Sequence, residues 1–379
     1  MIFGLQRKII DSTPYHFQPS NCDVISFDDS NNRKNIIPER KIEFNKEDKT
    51  FLKLSYQNQD FARTKHDYRN GYVQREVYYK IINDCVIYGD NGTVLQRPTN
   101  NLIAESGFDS RRIKSSYGYN KIRVLRKNKL DNRIYLSMFH IFASRNNYYH
   151  WLIDHFSKLF VFTLLPKDDY VLLLNDDCSQ FQIDSLSYFI KNFPKVEIKF
   201  IPSNRCFVAP RTLIVSSISW HQNGWLPEEV IKFLKKLFIQ QYELNDSLKI
   251  YIKRGNRRTI VNESILIQRL KELGYKIVLN EKLSFSEQID LYKNASIVIG
   301  THGAGLSNVL FSPQGSMVVE LFPNNLIKPH YFFLSKSLQL NYHYFLGTAL
   351  SKSGNKSFSI DVDKFLSFLD EINIGRKSY

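Results

Sequence analysis

From Arg133 onward the chain alternates short apolar runs with segments whose apolar positions recur every three or four residues. Ile134 to Phe139 predicts a strand, Tyr148 to Leu165 a helix, Tyr170 to Leu174 a strand, Phe181 to Phe193 a helix and Val196 to Ile201 a strand. Arg211 to Val215 predicts another strand, and Val230, Phe233, Leu234 and Leu237 keep helical spacing within Pro227 to Phe238. The polar run Gln240 to Ser247 reads as a linker, and a second alternating series follows it. Its elements are strand Lys249 to Ile252, helix Glu263 to Leu273, strand Lys276 to Leu279, helix Ser286 to Lys293, strand Ile297 to Ile299, a short helix from Leu306 to Phe311 and strand Met317 to Leu321. Strands alternating with helices imply parallel sheets, so the chain is expected to be α/β, with two Rossmann-like domains facing a cleft.

Boundary signals sharpen the second series. Asn262 is placed to cap the helix that carries Leu266, Leu270 and Leu273, Gly274 ends it, and Ser284-x-x-Glu287 matches a capping box. Val362 to Ile372 reads as an amphipathic helix expected to pack back onto the first domain. The first ~125 residues show no clear period, apart from Gly89 to Gly92 between two apolar runs, which reads as a hairpin. The expected division is an irregular β-containing N-terminal region at 1–130, Rossmann-like domains at 131–242 and 243–350, and the C-terminal helix at 351–379.

With 379 residues, 43% of them hydrophobic and 14% aromatic, the chain can bury a large core, which excludes disorder and collagen-like repetition. Lys and Arg number 52 against 37 Asp and Glu, a net charge of +15 that suits phosphates, anionic lipid head groups or nucleic acid without choosing among them. An AT-rich genome accounts equally well for much of the lysine. Cys22, Cys85, Cys178 and Cys206 form no C-x-x-C pair, so neither a zinc knuckle nor a disulfide framework is indicated, and isolated thiols fit a cytoplasmic chain. No stretch approaches ~18 apolar residues and the first residues lack the apolar core of a secretory signal, so a soluble, unexported protein is expected.

The chemistry is expected at strand ends. In Ile299-Gly300-Thr301-His302-Gly303-Ala304-Gly305-Leu306-Ser307-Asn308 a buried strand gives way to small residues and then a helix, which presents backbone N–H groups where α/β proteins bind phosphates. A tight turn alone would also use these glycines. His302 is either a structural hydrogen-bonding group or a polar tip aimed at a cleft. Glu320, at the end of the next strand, either accepts from ribose hydroxyls or stands in solvent. Lys253-Arg254-Gly255-Asn256-Arg257-Arg258 follows another strand end, and its guanidinium groups could pair bidentately with a diphosphate, replacing a metal; a solvated basic loop is the plainer reading. Glu263 also serves the dipole of its helix. His150 and Asp154, four apart in Tyr149-His150-Trp151-Leu152-Ile153-Asp154, could act as an acid/base pair or as an oriented base, are too few to hold a metal, and could equally be a packed helix start.

These segments resemble glycosyltransferase family 61 in order and spacing over about Ile134 to Pro323: the His150 motif, Tyr251 to Arg254 with Arg258 and Asn262-Glu263, Leu283 to Gln288, the loop Gly300 to Asn308, and Glu320 to Pro323. The resemblance implies a GT-B architecture, with 131–242 on the acceptor side and 243–350 holding a nucleotide sugar, and inverting transfer with no cofactor and no essential metal. It implies that Arg254 and Arg258 face the diphosphate, that His302, Gly303, Ala304, Gly305 and Asn308 cradle phosphate and ribose, that Glu320 lies near the nucleoside, and that His150 and Asp154 face the acceptor. Lys253 stands where many members have Ser, and beyond the hairpin near Gly89 the region from Met1 to about Leu130 does not align, so acceptor recognition is unassigned.

The expected activity is transfer from a nucleotide-sugar donor, UDP-linked by resemblance, to a glycan or lipid-linked acceptor in bacterial surface polysaccharide assembly. His150 or Asp154 would be the base, and Arg254, Arg258 and the helix at Leu306 would stabilise the leaving diphosphate. The basic balance also admits peripheral contact with an anionic membrane. Two competing readings are a nucleic-acid-binding protein, suggested by the charge and by Arg111 to Tyr117 although no such module is visible, and a non-catalytic nucleotide-sugar-binding scaffold.

Overall fold

A computed structural model of the chain describes residues 14–17, 22–27, 33–57, 68–69, 71–89, 91–107, 113–114, 123–138, 147–219, 223–239, 248–255, 258–350 and 357–377. The expected linker at 240–247, the basic stretch 111–117 apart from Ile113 and Lys114, and Asp90, Phe139, Asn146, Asn256 and Arg257 lie outside the described residues. The chain forms two compact units, one of residues 1–39 and 75–218 and one of 40–74 and 219–379.

The first unit is built on a mixed sheet. Four parallel strands lie in the order Glu197–Ile201, Tyr170–Asn175, Ile134–Ser137, Arg205–Val215, which is 3-2-1-4 in chain order. The chain therefore reverses direction across the sheet between Ile134–Ser137 and Arg205–Val215. Val77–Tyr88 pairs antiparallel with the long strand Arg205–Val215, and the expected hairpin returns as Val94–Gln96, with Val86 opposite Leu95. Strands before residue 130 thus continue the sheet of those after it, because their alternating apolar residues Val86, Tyr88, Leu95 and Leu102 share a core cluster with Cys206 and Ile113.

The helix expected over Tyr148 to Leu165 is irregular. It opens as a π-helical turn, His150–His155, and continues as a 3₁₀ segment, Phe156–Thr163. Trp151, Leu152, Ile153, Phe156, Leu159 and Val161 are buried, so apolar packing holds the segment although its turns are not α-helical. The following helix, Gln180–Asn192, starts in a capping box of Ser179 and Gln182 and stacks Phe189 on Phe193.

In the second unit five parallel strands lie in the order Tyr275–Val278, Leu248–Ile252, Ala295–Thr301, Met317–Pro323, Asn341–Ala349, with Phe358–Ser359 antiparallel at the edge. The order is 2-1-3-4-5, and its reversal falls between Leu248–Ile252 and Ala295–Thr301. Side chains on one sheet face, among them Tyr251, Ile299, Val319 and Leu321, pack on helix Glu263–Glu272 and on Phe365 and Leu369 of the C-terminal helix Val362–Lys377. That helix, expected to return to the first α/β series, is built into the core of the second, because its apolar residues complete the cluster around Tyr251 and Phe358.

Residues 40–74 also belong to this unit. The helix Lys46–Gln57 lays Phe51 and Leu52 against Phe322, Phe332 and Phe333, and Lys336 pairs with Asp48 at 2.6 Å. The Ser284–Glu287 capping box forms as the sequence predicts. Asn262 does not cap: its amide donates to the Ile360 carbonyl at 2.7 Å and accepts from the Ile360 N–H at 3.1 Å, tying the start of its helix to the C-terminal segment. Among the described residues no helix is long and apolar enough to cross a membrane.

Candidate functional site

Adjacent parallel strands whose crossovers leave in opposite directions open a crevice at their carboxyl ends. In the second unit those ends are Ile252, which leads into Lys253 and Arg254, and Thr301, which leads into His302 and Gly303. Arg254 Nη1 donates to the His302 carbonyl at 2.5 Å, so the first arginine of the basic run is fastened to the glycine loop. The glycine makes this possible. Gly303 has extended backbone, φ 175° and ψ 164°, yet a Cβ there would lie 1.7 Å from Arg254 Nη1 and 2.6 Å from Cζ. A Cβ on Gly305 would lie 2.8 Å from Asn280 Nδ2, whose amide donates to the Gly305 carbonyl. Gly303 and Gly305 therefore let side chains pass across bare backbone at the start of the 3₁₀ helix Ala304–Phe311. Arg258 sits nearby with φ 55°, a left-handed backbone uncommon for a side chain of this size.

His302 is buried. Its Nδ1 lies 2.5 Å from Glu320 Oε1, Tyr342 donates its hydroxyl to Glu320 Oε2 at 2.7 Å, and the imidazole stacks on Phe322 and meets the edge of Tyr331. Burial drives the His302 pKa well down, and Arg258, His330, Lys328 and Arg254 push it the same way. Burial drives the Glu320 pKa well up, opposed by the Tyr342 hydrogen bond and Arg258. Glu320, expected at a strand end near a nucleoside or in solvent, lies inside its strand with no exposure, because residue 320 faces the side of the sheet covered by Phe322 and His302.

Asn308, expected to cradle phosphate and ribose, is also fully buried. It donates to Gln288 Oε1 at 2.7 Å and also bonds Tyr292, whose hydroxyl donates to Asn280 Oδ1 at 2.9 Å. This network runs on to the Gly305 carbonyl and holds the loop from beneath. Glu263 accepts from the buried Tyr251 hydroxyl at 2.9 Å. The structure thus brings Arg254, Arg258, His302, Gly303, Ala304 and Gly305 together and sets Glu320 and Asn308 behind them. Lys328, His330, Tyr331 and Tyr342 join the cluster without having been singled out in the sequence. The signal for two of them was available, since Lys328-Pro329-His330 follows the carboxyl end of strand Met317–Pro323, beside the strand that ends at His302.

The first unit carries its own cluster. His150 Nδ1 lies 2.6 Å from Asp154 Oδ2; Asp154 has no exposure and the imidazole is 26% exposed. Asp154 thereby orients the ring and leaves Nε2 as the nitrogen not bonded to the carboxylate. Farther along the same segment His155 and Lys158 are buried. Among the described residues no three His, Cys, Asp or Glu side chains gather as a metal-binding group.

A 2-1-3-4-5 sheet with a cationic loop cluster at its reversal point defines an α/β protein arranged, on one unit, as sheets that take phosphorylated ligands are. Residues 148–319 match the Glycosyltransferase 61 family model. Over this region, a little under half of its length, the chain is similar to glycosyltransferase family 61. It is similar to protein O-linked-mannose β-1,4-N-acetylglucosaminyltransferase 2 of Xenopus laevis, 28% identical over 157 residues that cover 36% of this chain and 27% of the relative. The Homo sapiens protein of that name is 36% identical over 91 residues, 23% of this chain and 16% of its own. The EGF domain-specific O-linked N-acetylglucosamine transferase of Gallus gallus is 41% identical over 78 residues, 19% and 15%. The chain thus matches about a quarter or less of the length of these curated relatives.

Proposed function

We propose that this protein is an inverting, metal-independent glycosyltransferase of GT-B type that moves a sugar from a nucleoside-diphosphate donor to a glycan acceptor. One observation carries the reading: Arg254 is fastened to the His302 carbonyl at the reversal point of a parallel sheet, with Arg258, Lys328 and His330 acting on the same imidazole. Negative charge builds on the leaving diphosphate as the glycosidic bond breaks, and cations set in advance lower that barrier without rearranging. Arg254 and Arg258 pair with the phosphates, and the N–H groups of Gly303, Ala304 and Gly305, where the short helix begins, donate to a phosphate oxygen. The His302–Glu320 pair and Asn308 hold that loop rather than touching the donor.

In inversion the acceptor hydroxyl attacks the anomeric carbon from the face opposite the leaving group and gives up its proton to a base. His150 is the base in this reading and Asp154 orients it, since the more exposed imidazole presents Nε2 while the carboxylate is buried. A UDP-linked sugar is the expected donor. The relatives' names make N-acetylglucosamine the first sugar to try, with mannose-bearing glycans beside lipid-linked ones in the acceptor panel. Surface-polysaccharide assembly in a reducing cytoplasm, with contact to an anionic membrane, completes the reading. Four free cysteines support the compartment, and sedimentation with anionic liposomes at low salt tests the contact.

Thermal shift against nucleoside diphosphates and nucleotide sugars, with EDTA in parallel, tests the donor site. A ligand at 100 times its Kd stabilises by about 2.7 kcal/mol. The reading expects one nucleotide class to stabilise the protein in EDTA and to lose its effect in Arg254→Ala. No stabilisation by any of them, or an undiminished shift in Arg254→Ala, would overturn it.

A further inference from the structure

The first unit buries a lysine that the transfer reaction, as proposed, leaves without a task. Lys158 lies four residues beyond Asp154, which itself lies four beyond His150, and both Asp154 and Lys158 are buried. With Glu105 and His155, Lys158 lines a cavity of about 20 Å³, room for one water. Ser106 also lines the cavity, as do Ser137 and Val215, the carboxyl ends of the two strands between which the first sheet reverses. Glu105 is anchored there by Phe27 N–H at 2.6 Å, Tyr78 OH at 2.7 Å and Ser26 OH at 2.8 Å, all on Oε1.

We propose that Lys158 is a positioning residue that keeps His150 in its proton-accepting form by carrying the counter-charge of Asp154. The proposal rests on the reading of His150 as base. A carboxylate shielded from water draws a proton onto a hydrogen-bonded imidazole, since an imidazolium–carboxylate pair is neutral as a whole. An imidazolium cannot accept the acceptor hydroxyl's proton. A second cation in the same buried cluster removes that pull, so the imidazole can donate Nδ1–H to Asp154 and keep Nε2 open.

The surrounding groups agree with this assignment. Burial pulls the lysine's pKa down to about 8, against the attraction of Asp154 and Glu105, which leaves it charged at neutral pH. Burial drives the His155 pKa well down, with Lys158 and His150 acting in the same direction. Among the described residues the titratable groups of the cluster are His150, Asp154, His155, Lys158, Glu105 and, through its bond to Glu105, Tyr78.

The experiment follows the imidazole of His150 by NMR in full-length protein without ligand, its signal assigned by loss in His150→Gln, alongside the pH dependence of turnover. In Lys158→Met the imidazole should titrate at least about one pH unit higher than in the parent, and the acid limb of kcat should move with it. Lys158→Arg should restore both. Glu105→Gln, which removes a competing negative charge, should move both the other way and serves if Lys158→Met does not fold. An unchanged His150 titration in folded Lys158→Met, or in Glu105→Gln, would overturn the proposal even if turnover fell, because a purely structural lysine would lower activity without moving that titration. If His150→Gln kept full turnover, the base reading would fail, while the titration shift would still decide the role of Lys158.

Discussion

Gly303→Ala isolates the role of Arg254 more cleanly than removing the arginine does. The backbone at 303 is extended, so alanine fits without conformational strain, and the effect must come from the added methyl. That methyl would sit 1.7 Å from Arg254 Nη1, inside the 3.0 Å that real Cβ contacts essentially never breach, so the guanidinium must leave the His302 carbonyl. A hydrogen bond to a charged group contributes about 1.5–3 kcal/mol, which corresponds to about 10- to 150-fold in affinity. Isothermal titration of UDP should show a loss of that size in Gly303→Ala, with a loss of thermal stability no larger than that one hydrogen bond because the displaced group is a long, half-buried side chain. Arg254→Ala should cost a similar amount, and the double variant little more than either, since both changes remove one interaction. Full affinity in Gly303→Ala, or losses that simply add, would refute the claim that the glycine serves the arginine.

Other consequences can be read at the bench. Asn308→Ala should destabilise the protein by about 1–3 kcal/mol in thermal or denaturant unfolding, because Gln288 and Tyr292 each lose a buried partner; a change within 0.5 kcal/mol would dissolve the network. Phe365→Ala should cost about 3–5 kcal/mol, as expected for emptying a fully buried aromatic site, and limited proteolysis should then release the C-terminal helix first. His155 is held below the ordinary histidine range by burial, so the unfolded chain binds the extra proton below about pH 6.5 and stability falls as pH drops through that window. The slope is at most ~1.4 kcal/mol per pH unit, and His155→Gln should flatten it. His150→Gln and Asp154→Asn should each lower turnover by about 10²–10⁴-fold while leaving UDP binding intact.

The second sheet was the most legible part of the chain because its central strands Ala295–Thr301 and Met317–Pro323 are buried throughout and its elements are bounded by Gly, Pro and capping residues. Its fifth strand, Asn341–Ala349, escaped because Tyr342-His343-Tyr344-Phe345 mixes aromatic and polar groups without alternation, and the helix His330–Ser337 because four apolar residues in a row carry no helical period. Apolar spacing also cannot separate an i→i+4 from an i→i+5 ladder, so the π-helical start at His150 was invisible. At the site, glycines and arginines could be placed from strand ends alone. The partners of Glu320 and Asn308 could not: a carboxylate inside a strand looks the same in sequence whether it faces solvent or a buried imidazole. Long-range packing likewise decides that residues 40–74 join the second unit, through Phe51 on Phe332 and Phe322, contacts some 270 residues apart in sequence.

The central claim is that the Arg254–His302 cluster activates the departure of a nucleoside diphosphate. The most direct measurement is release of nucleoside diphosphate from a panel of nucleotide sugars, in EDTA, by the parent and by Arg254→Ala, with glycan acceptors present. The account predicts turnover with one nucleotide class, UDP-linked sugars first, that falls at least about 100-fold in the variant. Turnover that depends on added divalent metal, or that is equal in parent and variant, would contradict it.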